Sequence, residues 1–166
     1  MDSKGLDKLR AEIAGSRSKD MPTITVCGGT GCHAYGCLKV AQAFRDEVRQ
    51  RGLQDKVAVR QTGCHGFCER GPIVVLQPKG IFYQRLQLAD VPEVVTKTVL
   101  GNELIERLLY SDEATGKKIA AEHDVPFYKK QKRLILGGNG FIDPTDLGDY
   151  LALDGYKALQ RVLSGM

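Results

Sequence analysis

An α/β fold is predicted by three observations: short β-branched runs alternate with an amphipathic stretch, glycine and proline punctuate the spaces between, and all five cysteines fall within residues 27–68. The strands are expected at Thr23 to Val26, Val57 to Arg60, Ile73 to Gln77 and Ile81 to Leu86. One helix is expected from about Gly36 to Gln50 and another from Val91 to Leu100. Strand, helix, strand order makes the first two strands parallel neighbours. Pro78-Lys79-Gly80 turns the last two into a hairpin, so the predicted sheet is four-stranded and mixed, with flanking helices.

Each further element has its own signal. Leu6, Leu9, Ile13 and Ala14 recur at helical spacing between charged residues, predicting an amphipathic N-terminal helix over 3–17 that exits through 16–20 and packs on the sheet or on a partner. Leu38, Val40, Ala41, Phe44 and Val48 give the second helix its apolar face. After Gly101-Asn102 the composition changes. Leu104, Ile105, Leu108 and Leu109 predict a short helix, Ser111 to Gly116 a polar turn segment, and Gly137-Gly138-Asn139-Gly140 a turn. Asp143-Pro144 reads as a helix start, a capping carboxylate before a proline at the first helical position. The expected organisation is therefore an N-terminal helix over 1–20, a sheet domain over 21–101 and a small, mostly helical segment over 102–166.

The cysteines carry the chemistry. Cys27-x4-Cys32 and Cys64-x3-Cys68 form two short loops separated by 31 residues, each placed just beyond a predicted strand. Adjacent parallel strands would bring both loops to one edge of the sheet. Four thiolates are the ligand number of an iron–sulfur cluster. Glycines at 28, 29, 31, 63 and 66 permit close approach and sharp turns, so backbone N–H groups are available to a negatively charged centre. The helix beginning near Gly36 would add its positive dipole end.

Other readings fit the cysteines less well. A disulfide framework conflicts with an odd cysteine count, and thioredoxin-type dithiol chemistry needs a C-x-x-C pair that is absent. A zinc-stabilised interaction module without redox activity is the principal alternative, although zinc knuckles usually show C-x2-C spacing. Cys37 is expected to be a small buried side chain. His33 and His65 each adjoin a cysteine and are expected to hydrogen-bond nearby or face solvent rather than act as ligands.

Composition excludes several classes. With 24 Lys and Arg against 20 Asp and Glu the chain is mildly basic, well short of a nucleic-acid binder. The run Lys129, Lys130, Lys132, Arg133, interleaved with Phe127 and Tyr128, reads as a solvated or partner-facing edge. No apolar run approaches the roughly 20 residues that span a bilayer. Free cysteines without a signal peptide make a reducing cytoplasm the expected compartment.

On these four cysteines the chain resembles the thioredoxin-like [2Fe-2S] ferredoxins, including the small iron–sulfur subunit of respiratory complex I. The resemblance implies a thioredoxin-like domain, a [2Fe-2S] cluster held by Cys27, Cys32, Cys64 and Cys68, and a cis proline at Gly71-Pro72. The stretch Cys64-His65-Gly66-Phe67-Cys68-Glu69-Arg70-Gly71-Pro72 is also similar to the N-terminal extension of the flavin-bearing, NADH-oxidising subunit of complex I, NAD-linked hydrogenases and formate dehydrogenases. So are Pro126-Phe127-Tyr128-Lys129-Lys130-Gln131, Ile142-Asp143-Pro144 and Gly155-Tyr156-Lys157-Ala158-Leu159, which look like the lead-in to that subunit's main body. This implies one-electron transfer within an NADH dehydrogenase, with other subunits and a flavin domain as partners. The family's glycine-rich FMN and NADH loop and its [4Fe-4S] cysteines have no counterpart in these 166 residues, so the sequence reads as truncated before them and no hydride chemistry is expected from it alone.

Overall fold

The computed structural model describes residues 3–16 and 20–165. In chain order the elements are α1 (Ser3–Ser16), β1 (Thr23–Cys27), α2 (Thr30–Ala34), α3 (Cys37–Gln50), β2 (Ala58–Thr62), β3 (Val74–Gln77) and β4 (Ile81–Tyr83). There follow α4 (Val91–Glu93), which runs on as a π-helix over Val94–Leu100, then β5 (Tyr110–Ser111), β6 (Lys118–Ile119), α5 (Pro126–Lys129), α6 (Leu147–Ala152) and α7 (Lys157–Leu163).

The main sheet has the order β2-β1-β3-β4. β1 pairs with β2 in parallel, Thr23 beside Ala58 through Cys27 beside Thr62. It pairs with β3 antiparallel, and β3 with β4 antiparallel. This is the expected mixed sheet. β1 is its buried spine because Thr-Ile-Thr-Val-Cys combines β-branched shape with side chains that tolerate burial on both faces; the Thr25 hydroxyl satisfies itself on the Val75 carbonyl at 2.9 Å. α3 lays Val40, Ala41, Phe44 and Val48 on the sheet. Gly36, at φ 83°, lets the chain turn directly from α2 into α3.

Several expectations shift. Leu38 lies off the buried face of α3, about half exposed. The fourth strand stops at Tyr83, because Arg85 takes positive φ and turns the chain away. Residues 104–109 form no α-helix: Glu106–Leu108 is a single 3-10 turn, because the segment is drawn alongside β4, where Gln84 N–H donates to the Leu108 carbonyl at 3.0 Å. The polar turn at 111–116 joins the two-residue strands β5 and β6. The helix expected at Asp143-Pro144 begins instead at Leu147, capped by Asp146, whose carboxylate accepts the Gly148 N–H at 2.7 Å. Asp143 is used locally, accepting from the Thr145 N–H and hydroxyl. The proposed exit of the first helix falls largely outside the described residues.

Gly71–Pro72 is cis, as the resemblance implied; Gln77–Pro78, unforeseen, is cis too. Packing is continuous across residue 101: Ile105, Leu108, Leu109, Tyr110 and Val125 belong to the same apolar core as the sheet. α1 packs on α6, so the two ends of the chain meet. There the buried Arg10 donates to the Gly155 carbonyl at 3.0 Å and to Gln160 Oε1 at 2.7 Å.

Candidate metal centre

β1 and β2 end level with one another, Cys27 against Thr62, and this register fixes where the cysteines gather. Cys27 is the last residue of β1. Cys32 follows on α2, a short helix the sequence reading passed over as loop. Cys64 and Cys68 flank the turn after β2, the latter opening a 3-10 turn over Cys68–Arg70. Cys27 and Cys32 are buried, whereas Cys64 and Cys68 are half-buried, so the second pair forms the outer edge of the site.

The sulfurs lie in two pairs. Cys27 acts on the ionisation of Cys32 and Cys68 on that of Cys64, as thiols close to one another do. The two pairs face each other across glycines. A Cβ on Gly29 would stand 2.7 Å from the Cys64 sulfur, and one on Gly31 would stand 2.7 Å from the Cys68 sulfur. Only a residue without a side chain admits that approach. Among the described residues no three His, Cys, Asp or Glu side chains converge as a single metal ion would need.

Backbone N–H groups face the sulfurs. Gly66 N–H donates to Cys64 Sγ at 3.3 Å, while the amides of His65 and Gly29 favour negative charge on Cys27 and that of Ile73 favours it on Cys32. The neighbouring Cys32 thiol, reinforced by those amides, lowers the Cys27 thiol to about 5. Cys32, beside Cys27 and desolvated, is pushed well above the ordinary thiol range. Burial also raises Cys64, and it pushes Cys37 up to about 11. Cys37 is fully buried at the start of α3, the small core side chain that was expected. The N-terminus of α2 also opens at the site, its cap Gly29 lying against the Cys64 side chain.

The histidines divide as their side chains dictate. His33 is exposed. His65 is buried, its Nδ1 3.0 Å from Glu122 Oε1 and its Nε2 3.2 Å from Thr62 Oγ1. Sequence reasoning missed what surrounds the second loop. Phe127 stacks on Phe67 at 4.2 Å between ring centroids, Arg133 donates to the His65 carbonyl, and Asn139 donates to the Cys64 carbonyl. Gly140 is buried against the His65 ring. The aromatic pair and the glycine cluster were visible as residues, but nothing in their spacing says which loop they cover.

Fold and site together have the character of an iron–sulfur protein on a small mixed sheet: soft donors in facing pairs, an amide N–H donated to sulfur, and a glycine cradle with no room for side chains. The comparisons agree. Residues 16–99 match the family description "Thioredoxin-like [2Fe-2S] ferredoxin", and the chain belongs to that family. It is 35% identical over 77 residues to a 2Fe-2S ferredoxin of Clostridium pasteurianum, a match covering 46% of this chain and 76% of the relative. A 2Fe-2S ferredoxin of Aquifex aeolicus is 36% identical over 81 residues, covering 48% and 73%. The crystal structure of the wild-type thioredoxin-like [2Fe-2S] ferredoxin from Aquifex aeolicus superposes with a TM-score of 0.51 at 31% identity, covering 56% of this chain and 99% of that one.

Proposed function

We propose that this chain is a one-electron relay in which Cys27, Cys32, Cys64 and Cys68 hold a [2Fe-2S] cluster. The observation that carries the reading is the gathering of two cysteine pairs at one sheet edge, facing each other across Gly29 and Gly31, with an amide N–H donated to the Cys64 sulfur. When bound, such a cluster takes up and releases single electrons. The chain's own part is to supply the thiolates, offset their charge with N–H dipoles, and bury one pair while leaving the other near solvent, where exchange with a partner is fastest. Anaerobic reconstitution with iron and sulfide tests this: a reddish-brown protein with equal iron and labile sulfide is expected, and a colourless chain retaining only zinc would overturn it.

The finer proposal is that the relay serves a flavin-bearing NADH oxidoreductase. Its support is the resemblance of residues 126–163 to the lead-in of such a subunit, together with the apolar side chains this region leaves exposed. Tyr150, Tyr156, Leu159 and Leu163 are all about half exposed or more, around the buried Leu151. Exposed apolar groups gathered in this way mark an interaction face, and a flavin domain is the partner proposed for it. A one-electron centre has no site for hydride, whereas flavin bridges two-electron and one-electron chemistry. The loaded chain is therefore expected not to reduce dye from NADH, even with added FMN. Steady NADH turnover by this chain would overturn the relay-only reading.

A further inference from the structure

We infer that Arg133 and Asn139, which lie beyond the residues matched to the ferredoxin family, are part of the cluster site and raise its reduction potential by polarising two peptide units whose N–H groups face the cysteine sulfurs. The inference rests on the cluster reading above and goes beyond it in giving a tuning role to the segment after the domain.

Two consecutive peptide units in the second cysteine loop each carry a side-chain donor on the carbonyl, and the one joining His65 to Gly66 is held at both ends. In the unit joining His65 to Gly66, the Gly66 N–H donates to Cys64 Sγ at 3.3 Å, while the His65 carbonyl accepts from Arg133 Nη2 at 2.5 Å. In the unit joining Cys64 to His65, the Cys64 carbonyl accepts from Asn139 Nδ2 at 3.4 Å, while the His65 N–H favours negative charge on the Cys27 sulfur. A donor on a carbonyl withdraws density from its amide, so the N–H at the other end becomes a stronger donor; hydrogen bonds in such chains reinforce one another. Arg133 contributes a full positive charge at the head of its chain, and Asn139 a neutral dipole.

Arg133 is held in place. Its guanidinium lies 5.0 Å from the Tyr128 ring centroid, and its Nε donates to Gln131 Oε1 at 3.1 Å. The loop it grips is itself fixed by the His65 ring between Glu122 and Thr62. The neighbouring Lys132 is exposed and makes no hydrogen bond or ion pair to the loop among the described residues, which makes it a charge control. Since reduction adds negative charge at the sulfurs, stronger N–H donors and a fixed cation favour the reduced form.

The test is a redox titration of the reconstituted full-length chain, followed by electron paramagnetic resonance, beside the rate of cluster loss to a chelator. Arg133→Gln should lower the reduction equilibrium constant by threefold to tenfold, tenfold being about 59 mV for a one-electron couple. It should also speed cluster loss. Asn139→Ala should move both readouts in the same direction by less, and Lys132→Gln should move the potential least. Arg133→Lys, which keeps charge but not the planar fork, should fall between wild type and Arg133→Gln. Equal shifts in Arg133→Gln and Lys132→Gln would overturn the inference in favour of net charge alone. A loaded Arg133→Gln and Asn139→Ala with unmoved potentials would also overturn it, leaving the cluster reading intact. Failure of the wild-type chain to take up iron and sulfide would overturn the cluster reading, and this inference with it.

Discussion

Serine at a ligand position keeps the side chain's size and removes the soft, readily ionised donor, so single substitutions separate ligands from bystanders. Cys27→Ser, Cys32→Ser, Cys64→Ser and Cys68→Ser are each expected to lose most of the visible absorbance per chain after reconstitution. Cys37→Ser should keep it, because that thiol is buried and held neutral by desolvation. Its penalty should fall on stability, about 1–3 kcal/mol for a hydroxyl in an apolar site, read from urea unfolding. Bleaching of Cys37→Ser alongside a coloured Cys32→Ser would reassign the first loop. Glycine is tested by the same assay. Gly31→Ala places a methyl 2.7 Å from the Cys68 sulfur and should cut cluster occupancy severalfold. Gly52→Ala, where no atom lies within 4 Å, should leave occupancy unchanged although its positive φ strains the turn.

At the scale of elements, what holds the site in place is the seam between the sheet and what packs on it. Phe44 sits wholly buried on α3 against the sheet. Phe44→Ala should therefore cost about 3–5 kcal/mol, read as a fall in the urea midpoint. A smaller and more specific tie joins β4 to the segment beyond the π-helix. The Tyr83 hydroxyl accepts the Ile105 N–H at 3.0 Å and lies 2.8 Å from Thr98 Oγ1. Tyr83→Phe leaves that buried amide without an acceptor, an expected loss of about 1–3 kcal/mol at nearly unchanged volume. A loss indistinguishable from zero would mean that water reaches Ile105 and that the tie is not buried as described.

Across the whole molecule the chain closes on itself. Arg10 on α1 reaches the Gly155 carbonyl and Gln160, while Arg60 on β2 pairs with Asp149 on α6 at 3.3 Å and donates to the Phe141 carbonyl at 3.1 Å. Arg10→Ala should release both ends together: hydrogen exchange by mass spectrometry should quicken over 5–14 and 147–163 and leave 23–27 and 37–50 protected, with the cluster retained. Quickening in only one of the two end segments would show that they are not coupled through Arg10. The same continuity bears on how the proposed docking face is tested. A chain ending near Gly101 would strip Ile105, Leu108, Tyr110 and Val125 from the core, so its self-association would report damage rather than docking. Leu159→Glu with Leu163→Glu in the full chain is the sounder comparison. It should sediment as a smaller species than wild type if that face self-associates.

The sequence by itself determined the sheet, the four clustered cysteines and the burial of Cys37. These follow from local rules: β-branched runs make strands, 3.6-residue periodicity makes α3, and ligands just past the ends of adjacent parallel strands must share an edge. It misjudged Asp143-Pro144 and residues 104–109, because cap signals and short apolar runs are weak enough for tertiary packing to override. Only the tertiary structure decided that α1 meets α6, that Glu122 and Thr62 hold His65, and that Arg133 and Asn139 hold the carbonyls of the second cysteine loop. Between Cys64 and Asn139 lie 74 residues without a repeating pattern. Contacts at such separation are set by how the whole chain packs, and a lone arginine or asparagine carries no local sign of the carbonyl it will reach.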